Sequence, residues 1–173
     1  VKLNKEKIIL TKVEKTIAQI IIAEAMILMG YVTSLFLYKN NLAAAYRVQK
    51  INCNPYEILN KYKDSDIKFI LLKQYMGRSY ITIKPNVHES LGLSKYVQST
   101  SPLRRYLDLI IQRQVYNKLN NFEQISKDSM TKIIEYSKIR QLENNNIFKN
   151  DRFKYLSLFF NNENKPIYKI IFI

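Results

Sequence analysis

Apolar positions in this chain gather in a few long blocks separated by short polar turns, and the spacing inside each block predicts its element. The densest block runs from Thr11 to Tyr38 and includes Ile17, Ile20, Ile21, Ile22, Met26, Ile27, Leu28, Met29, Val32, Leu35, Phe36 and Leu37. It predicts one long helix, and its length matches the roughly 20 residues that cross a bilayer. Glu24 stands near its middle, however, and Gln19, Thr33 and Ser34 interrupt it. A carboxylate at the centre of a membrane costs about 3 kcal/mol. The expectation is therefore a buried helix of a soluble domain. A buried Glu24 needs a partner, and Arg104 and Arg47 are the candidates.

Ala43 to Lys50 follows a polar turn at Lys39 to Asn41 and predicts a strand, with Tyr46 and Val48 on one face and Arg47 and Gln49 on the other. Pro55 opens a helical pattern over Tyr56 to Tyr75 that Asp64-Ser65-Asp66 breaks into two. Ser79 to Ile83 alternates as a short strand. Leu103, Tyr106, Leu107, Ile110, Ile111, Gln114 and Leu119 recur at helical spacing and predict an amphipathic helix that ends at the Asn120-Asn121 turn. Ser126 or Ser129 then caps a second long helix through Ile133, Ile134, Tyr136, Ile139 and Leu142. Asn144-Asn145-Asn146 weakens it before Phe153, Tyr155, Leu156, Leu158, Phe159 and Phe160 resume an apolar face. After a turn at Asn161 to Pro166, Tyr168 to Ile173 reads as a strand.

These elements predict a mainly helical α+β chain. Its 173 residues fit one domain with a real core, and three glycines with four prolines argue against a loop-rich or sandwich design. Charge adds a partner to the picture. With 28 basic and 14 acidic residues the formal net charge is +14, which favours an anionic partner, nucleic acid first and an anionic membrane surface second. A Lys-, Asn- and Ile-rich composition also follows from codon bias, with the charge then simply solvated. Cys53 is alone and makes no internal disulfide, as suits a reducing compartment. Val1 to Lys7 lacks the pattern of a cleavable targeting peptide.

The chemistry concentrates in Tyr96-Val97-Gln98-Ser99-Thr100-Ser101-Pro102-Leu103-Arg104-Arg105-Tyr106-Leu107-Asp108. Pro102 suits a first helical position, with Thr100 or Ser101 as the cap. Arg104 and Arg105 then fall in the first turn, where two guanidinium groups meet the positive end of the helix and call for an anion. A phosphate matches the planar donor fork of Arg. The simpler alternative is an internal ion pair with Asp108 at helical spacing. His88 is the only histidine, and with a single Cys and no adjacent acidic cluster it reads as a hydrogen-bonding residue that shapes the loop and not as part of a metal or triad site. Tyr46 and Arg47 form another aromatic and basic pair of the sort that meets a nucleic acid, although half-buried packing is the commoner role.

His88-Glu89-Ser90-Leu91-Gly92-Leu93, Tyr96, and Thr100-Ser101-Pro102-Leu103-Arg104-Arg105-Tyr106-Leu107-Asp108 together resemble the signature near the end of the catalytic domain of the ribonuclease II and R family. Glu24-Ala25-Met26-Ile27-Leu28 and Tyr46-Arg47-Val48-Gln49 are similar to two earlier family segments, in order. Glu89-Ser90 departs from the aromatic and small residue usual after the His, and Gln49 stands where His is commoner.

The resemblance implies a 3′-to-5′ exoribonuclease, a hydrolase of RNA degradation that uses Mg²⁺, with this chain as the C-terminal part of its RNB catalytic domain. It implies Arg104 as the residue that stabilises the scissile phosphate. Glu24 would serve the catalytic channel, and Arg105, Tyr96, Thr100, Ser101, Arg47 and His88 would contact single-stranded RNA. Residues 1–160 would form the partial RNB-like domain, and 161–173 the strand where an oligonucleotide-binding barrel begins.

Two-metal hydrolysis needs clustered hard oxygen ligands, and the five aspartates, Asp64, Asp66, Asp108, Asp128 and Asp151, form no such cluster in the sequence. Three readings follow. The chain is the C-terminal part of a catalytic domain whose Asp-rich upstream half is a separate chain, was lost or is not included in this sequence; it is an inactive RNA-binding remnant; or it is a basic membrane-associated protein. The expected location is intracellular and soluble, without a membrane partner, and the resemblance suggests a plastid.

Overall fold

A computed structural model describes residues 2–4, 7–9, 16–51, 54–61, 72 and 76–162. The chain divides into two compact units, Ile17–Ser137 and a second one made of Val1–Thr16 with Lys138–Ile173. In order, the elements are strands β1 (Lys2–Asn4) and β2 (Lys7–Ile9), helix α1 (Ile17–Lys39), strand β3 (Tyr46–Val48), helix α2 (Pro55–Lys61), strand β4 (Tyr80–Thr82), helix α3 (Tyr106–Leu119) and helix α4 (Lys127–Asn162). The mainly helical α+β class expected from the sequence holds.

The core lies in the Ile17–Ser137 unit. Leu37 of α1, Ala43 to Tyr46 leading into β3, Val97, Leu107, Ile110 and Ile111 of α3, and Met130 and Ile134 of α4 form one buried cluster. β3 pairs antiparallel with β4, Arg47 opposite Ile81, and Tyr46 also bridges to Val97. Tyr46 and Val48 are buried while Arg47 between them is half-exposed, as strand alternation dictates.

Asparagine ends both helices that precede the core turns. Asn41 and Asn121 take φ values of 52° and 56°, and the amides of Leu42 and Phe122 reach back to the carbonyls of Leu37 at 2.9 Å and Asn117 at 2.8 Å. Each is a left-handed helix stop of the kind glycine usually supplies, and asparagine tolerates it. The turns expected at Lys39 to Asn41 and at Asn120-Asn121 are these two.

Three expectations need correction. α1 is buried only in its second half, at Gly30, Thr33, Ser34 and Leu37; Ile17, Ile20, Ile21, Ile22 and Leu28 are exposed. The helix is long and apolar enough to cross a membrane, but the second half is committed to the core. α3 begins at Tyr106, not at Pro102, so Leu103 is fully exposed and Tyr106 and Leu119 are largely so. α4 runs through Asn144-Asn145-Asn146 without a break, because the triplet lowers helix propensity without blocking the backbone bonds as proline would. Ser126 does cap α4, accepting from the Ser129 amide at 3.1 Å.

In the second unit β1 and β2 form an antiparallel hairpin that pairs Lys2 with Ile9 and Asn4 with Lys7, a feature absent from the sequence reading. Arg140 and Glu143 pair at 2.9 Å on its helical part. Cys53, the Asp64-Ser65-Asp66 break and the strand expected over Tyr168 to Ile173 lie outside the described residues.

Candidate nucleic-acid interface

The signature segment folds around one carboxylate. Residues 102–104 make a turn, and Arg105, with extended backbone, is the residue before α3. Asp108 then occupies the third position of the helix, from which a side chain can reach back to amides before the helix start. Its Oδ2 accepts from the Ser101 amide at 2.9 Å and from Arg105 Nε at 2.8 Å, and Arg105 Nη2 lies 2.7 Å away. Arg105 Nη2 also reaches Thr100 Oγ1 at 3.4 Å. The two arginines therefore precede the helix instead of filling its first turn. Asp108 lowers the cost of burying part of Arg105, and the two form the ion pair that their spacing allows.

β3 brings in the second guanidinium. Arg47 donates its amide to the Tyr96 carbonyl at 2.8 Å and its Nη1 to Gln98 Oε1 at 2.9 Å. Burial lowers the Arg47 guanidinium below its usual range; Tyr96 and Asp108 oppose that shift and Arg105 adds to it. Burial raises the Tyr96 phenol, and Arg105 and Arg47 pull it back. Arg47, Tyr96 and Arg105 thus share one electrostatic neighbourhood, two cations beside an aromatic ring. That is the composition of surfaces that hold a nucleic-acid backbone and stack a base.

His88 adjoins this group through Tyr96. It is buried, meets the Tyr96 ring edge-on with centroids 5.6 Å apart, and exchanges backbone hydrogen bonds with Leu93. Ser90 Oγ sits 3.3 Å from its Nδ1 and also donates to Gln49 Oε1. Burial, then the charge of Arg47, push its pKa down. His88 is thus tied by hydrogen bonds to Leu93 and Ser90 and packs on Tyr96. α1 braces the same loop at Gly30, whose carbonyl accepts from the Val97 amide at 3.5 Å.

Two candidates stand apart. Arg104 is exposed, and among the described residues no carboxylate pairs with it. Glu24 is exposed on the first half of α1 and pairs with neither Arg104 nor Arg47, which corrects the expected buried ion pair. The spacing of Ile17, Ile21, Glu24 and Leu28 puts all four on one helix stripe, away from Gly30. Sequence reasoning missed Gln98 as the acceptor for Arg47. It also missed Gln112, whose amide donates to the Ser99 carbonyl at 2.6 Å; polar residues on a helix face carry no signal for such a bond.

The fold and this interface bear on the comparisons with known proteins. The RNB domain family model matches residues 1–121, which contain Arg47, His88, Tyr96, Arg104, Arg105 and Asp108. The chain belongs to the RNB domain family. An uncharacterized ribonuclease of Synechocystis is 35% identical over 103 residues, 59% of this chain and 16% of that protein. The mitochondrial exoribonuclease II of Saccharomyces cerevisiae is 29% identical over 136 residues, 68% of this chain and 14% of the relative. RNase R of Mycoplasma genitalium, solved with ribose-methylated single-stranded RNA, superposes with a TM-score of 0.68 at 21% identity, covering 82% of this chain and 28% of that one. The chain thus spans less than a fifth of the length of these curated relatives. A relative in Arabidopsis thaliana, 29% identical over 100 residues, is a chloroplastic/mitochondrial ribonuclease II.

The described residues do not supply a donor set for the Mg²⁺ that the resemblance implies. Among the described residues no three of His, Cys, Asp and Glu come together, and Asp108, the buried aspartate among them, is already held by Arg105 and the Ser101 amide.

Proposed function

We propose that this chain is the C-terminal part of the catalytic domain of a ribonuclease II-type 3′-to-5′ exoribonuclease, and that its task is to hold single-stranded RNA and position the scissile phosphate. The observation that carries the reading is the convergence of Arg47, Tyr96 and Arg105 within a family-matched region of a strongly basic chain. Arg47 and Arg105 would clamp successive phosphates, Tyr96 would stack a base, and Thr100 and Ser101 would offer hydroxyls to the backbone. Exposed Arg104 would meet the phosphate under attack. His88 would support this surface through Tyr96. Residues 1–160 form the RNB part, and 161–173 begin a further segment.

The metal-binding aspartates, in this reading, come from the upstream half of the domain, carried by a separate chain or by a longer form of this one. Hydrolysis depends on that half, which supplies the Mg²⁺ site; the residues here bind and orient the RNA. An intracellular setting fits, and the Arabidopsis relative favours an organelle such as the plastid.

The test is anisotropy with a labelled single-stranded RNA, alone and with the upstream half, followed by product analysis in Mg²⁺. Binding by the chain, weakened by Arg47→Ala and Arg105→Ala, together with mononucleotide release after mixing, is the expected result. Binding without products in either tube converts the reading to an inactive RNA-binding remnant. No salt-dependent binding, and no effect of either substitution, overturns it.

A further inference from the structure

Asp108 is 1% exposed, and among the described residues only one of its two oxygens finds a donor. Oδ2 takes the Ser101 amide and Arg105, while Oδ1 is buried and has no donor among the described residues. A buried carboxylate oxygen left unpaired is expensive and calls for a partner. The same side chain lines a small cavity together with Ala45, Arg47, Ile81, Gln98 and Leu107. Its free volume, about 10 Å³, is the size that admits the centre of a single water. Donors for that water are on hand. The Arg47 guanidinium carries five N–H groups, and one of them is engaged, by Gln98.

We propose that Asp108 is the positioning residue for both arginines of the interface, holding Arg105 directly and Arg47 through one water in this cavity. A single buried carboxylate then fixes the spacing between two guanidinium forks, so that both meet the RNA backbone in register. The inference rests on the RNA-binding reading for its consequence. Its geometry stands on the free protein.

Asp108→Asn separates this role from simple charge. The substitution keeps the side-chain shape and raises the net charge by one, so electrostatics alone makes RNA binding tighter. Loss of positioning makes it looser instead, by roughly tenfold near physiological salt, with the slope of log K against log salt reduced by about 1.4, two phosphate contacts at ~0.7 each. A slope that falls by only about 0.7 overturns the Arg47 arm, and an unchanged slope or tighter binding overturns the whole. A purely structural Asp108 lowers the folded fraction without moving the slope of the folded protein, and that outcome also overturns it. The second measurement needs neither RNA nor the variant: water-to-protein nuclear Overhauser transfer in the wild-type chain. A long-lived water at the Arg47 guanidinium is expected, and its absence overturns the link even if RNA binding itself fails.

Discussion

Gly30 of α1 and Tyr96 of the signature loop are packed so closely that a side chain at residue 30 has no room. A Cβ there would overlap the Tyr96 ring carbon Cε2 and the Val97 carbonyl oxygen, and would lie 3.1 Å from Tyr96 Cζ. The ring can turn, but the carbonyl cannot move without the backbone that carries Val97 into the core. Gly30→Ala is therefore expected to destabilise the chain by about 1–3 kcal/mol, the usual cost of overpacking. It would also displace Tyr96. A denaturant melt reads the first effect and RNA anisotropy the second; a melt equal to the wild type would show that the helix and loop do not touch as described.

Gln114 of α3 joins its helix to the segments that lead into β3 and α4, from a fully buried position. Its amide nitrogen donates to the carbonyls of Ala43 and Ile125, both at 3.1 Å, and its oxygen accepts from the Ile125 amide at 2.9 Å. Gln114→Leu fits the volume but strands three backbone groups, each worth about 1–3 kcal/mol when buried unpaired. The variant is expected to lose at least ~2 kcal/mol in urea unfolding. An unchanged midpoint would mean water replaces the amide.

Much of this was legible in the sequence because helices announce themselves by period and stop signals. The cap at Ser126, the two asparagine turns and the alternation in β3 are local, and local chemistry is written next to the residue it governs. The start of α3 was misplaced because Pro102 suits a first helical turn on local grounds, whereas Asp108 reaching back to the Ser101 amide favours a turn that delays the helix. Gly30 was silent for the same reason. Nothing near residue 30 in the chain mentions Tyr96. Glu24 was assigned a buried partner on the premise that an apolar helix is covered all round, and its first half is not.

Acid and alkali should each weaken the fold through a named group. His88 has its pKa lowered by burial, so the unfolded chain takes up a proton before the folded one does. Its contribution is complete above the unfolded pKa, near 6.5, and is lost as pH falls below that value. Tyr46 behaves oppositely. Burial, then Tyr38, raise its pKa to about 12, so stability present below pH 10 declines as pH rises from 10 toward 12. Thermal melts across pH should show both limbs; His88→Asn should flatten the acidic one and Tyr46→Phe the alkaline one. An acidic limb identical in His88→Asn assigns the loss to other groups.

The exposed stripe of α1 is where the proposed upstream half can be put to the test. Ile17, Ile21 and Leu28 lie on it around Glu24, each more than half exposed, and in the proposed reading this apolar stripe is what the upstream half would cover. Ile21 is 63% exposed, so Ile21→Lys should change the unfolding free energy of the chain by no more than about 0.5 kcal/mol. Burial of a lysine in an apolar contact is unfavourable, so the same variant should bind the upstream half weakly or not at all, while its own RNA affinity stays near wild type. Glu24→Gln should act more mildly, because it keeps the shape and removes only the charge that an arginine on the incoming half would meet. Co-purification and calorimetry of the mixed halves measure both. Full-strength association by Ile21→Lys would show that the upstream half, if it docks, does so elsewhere.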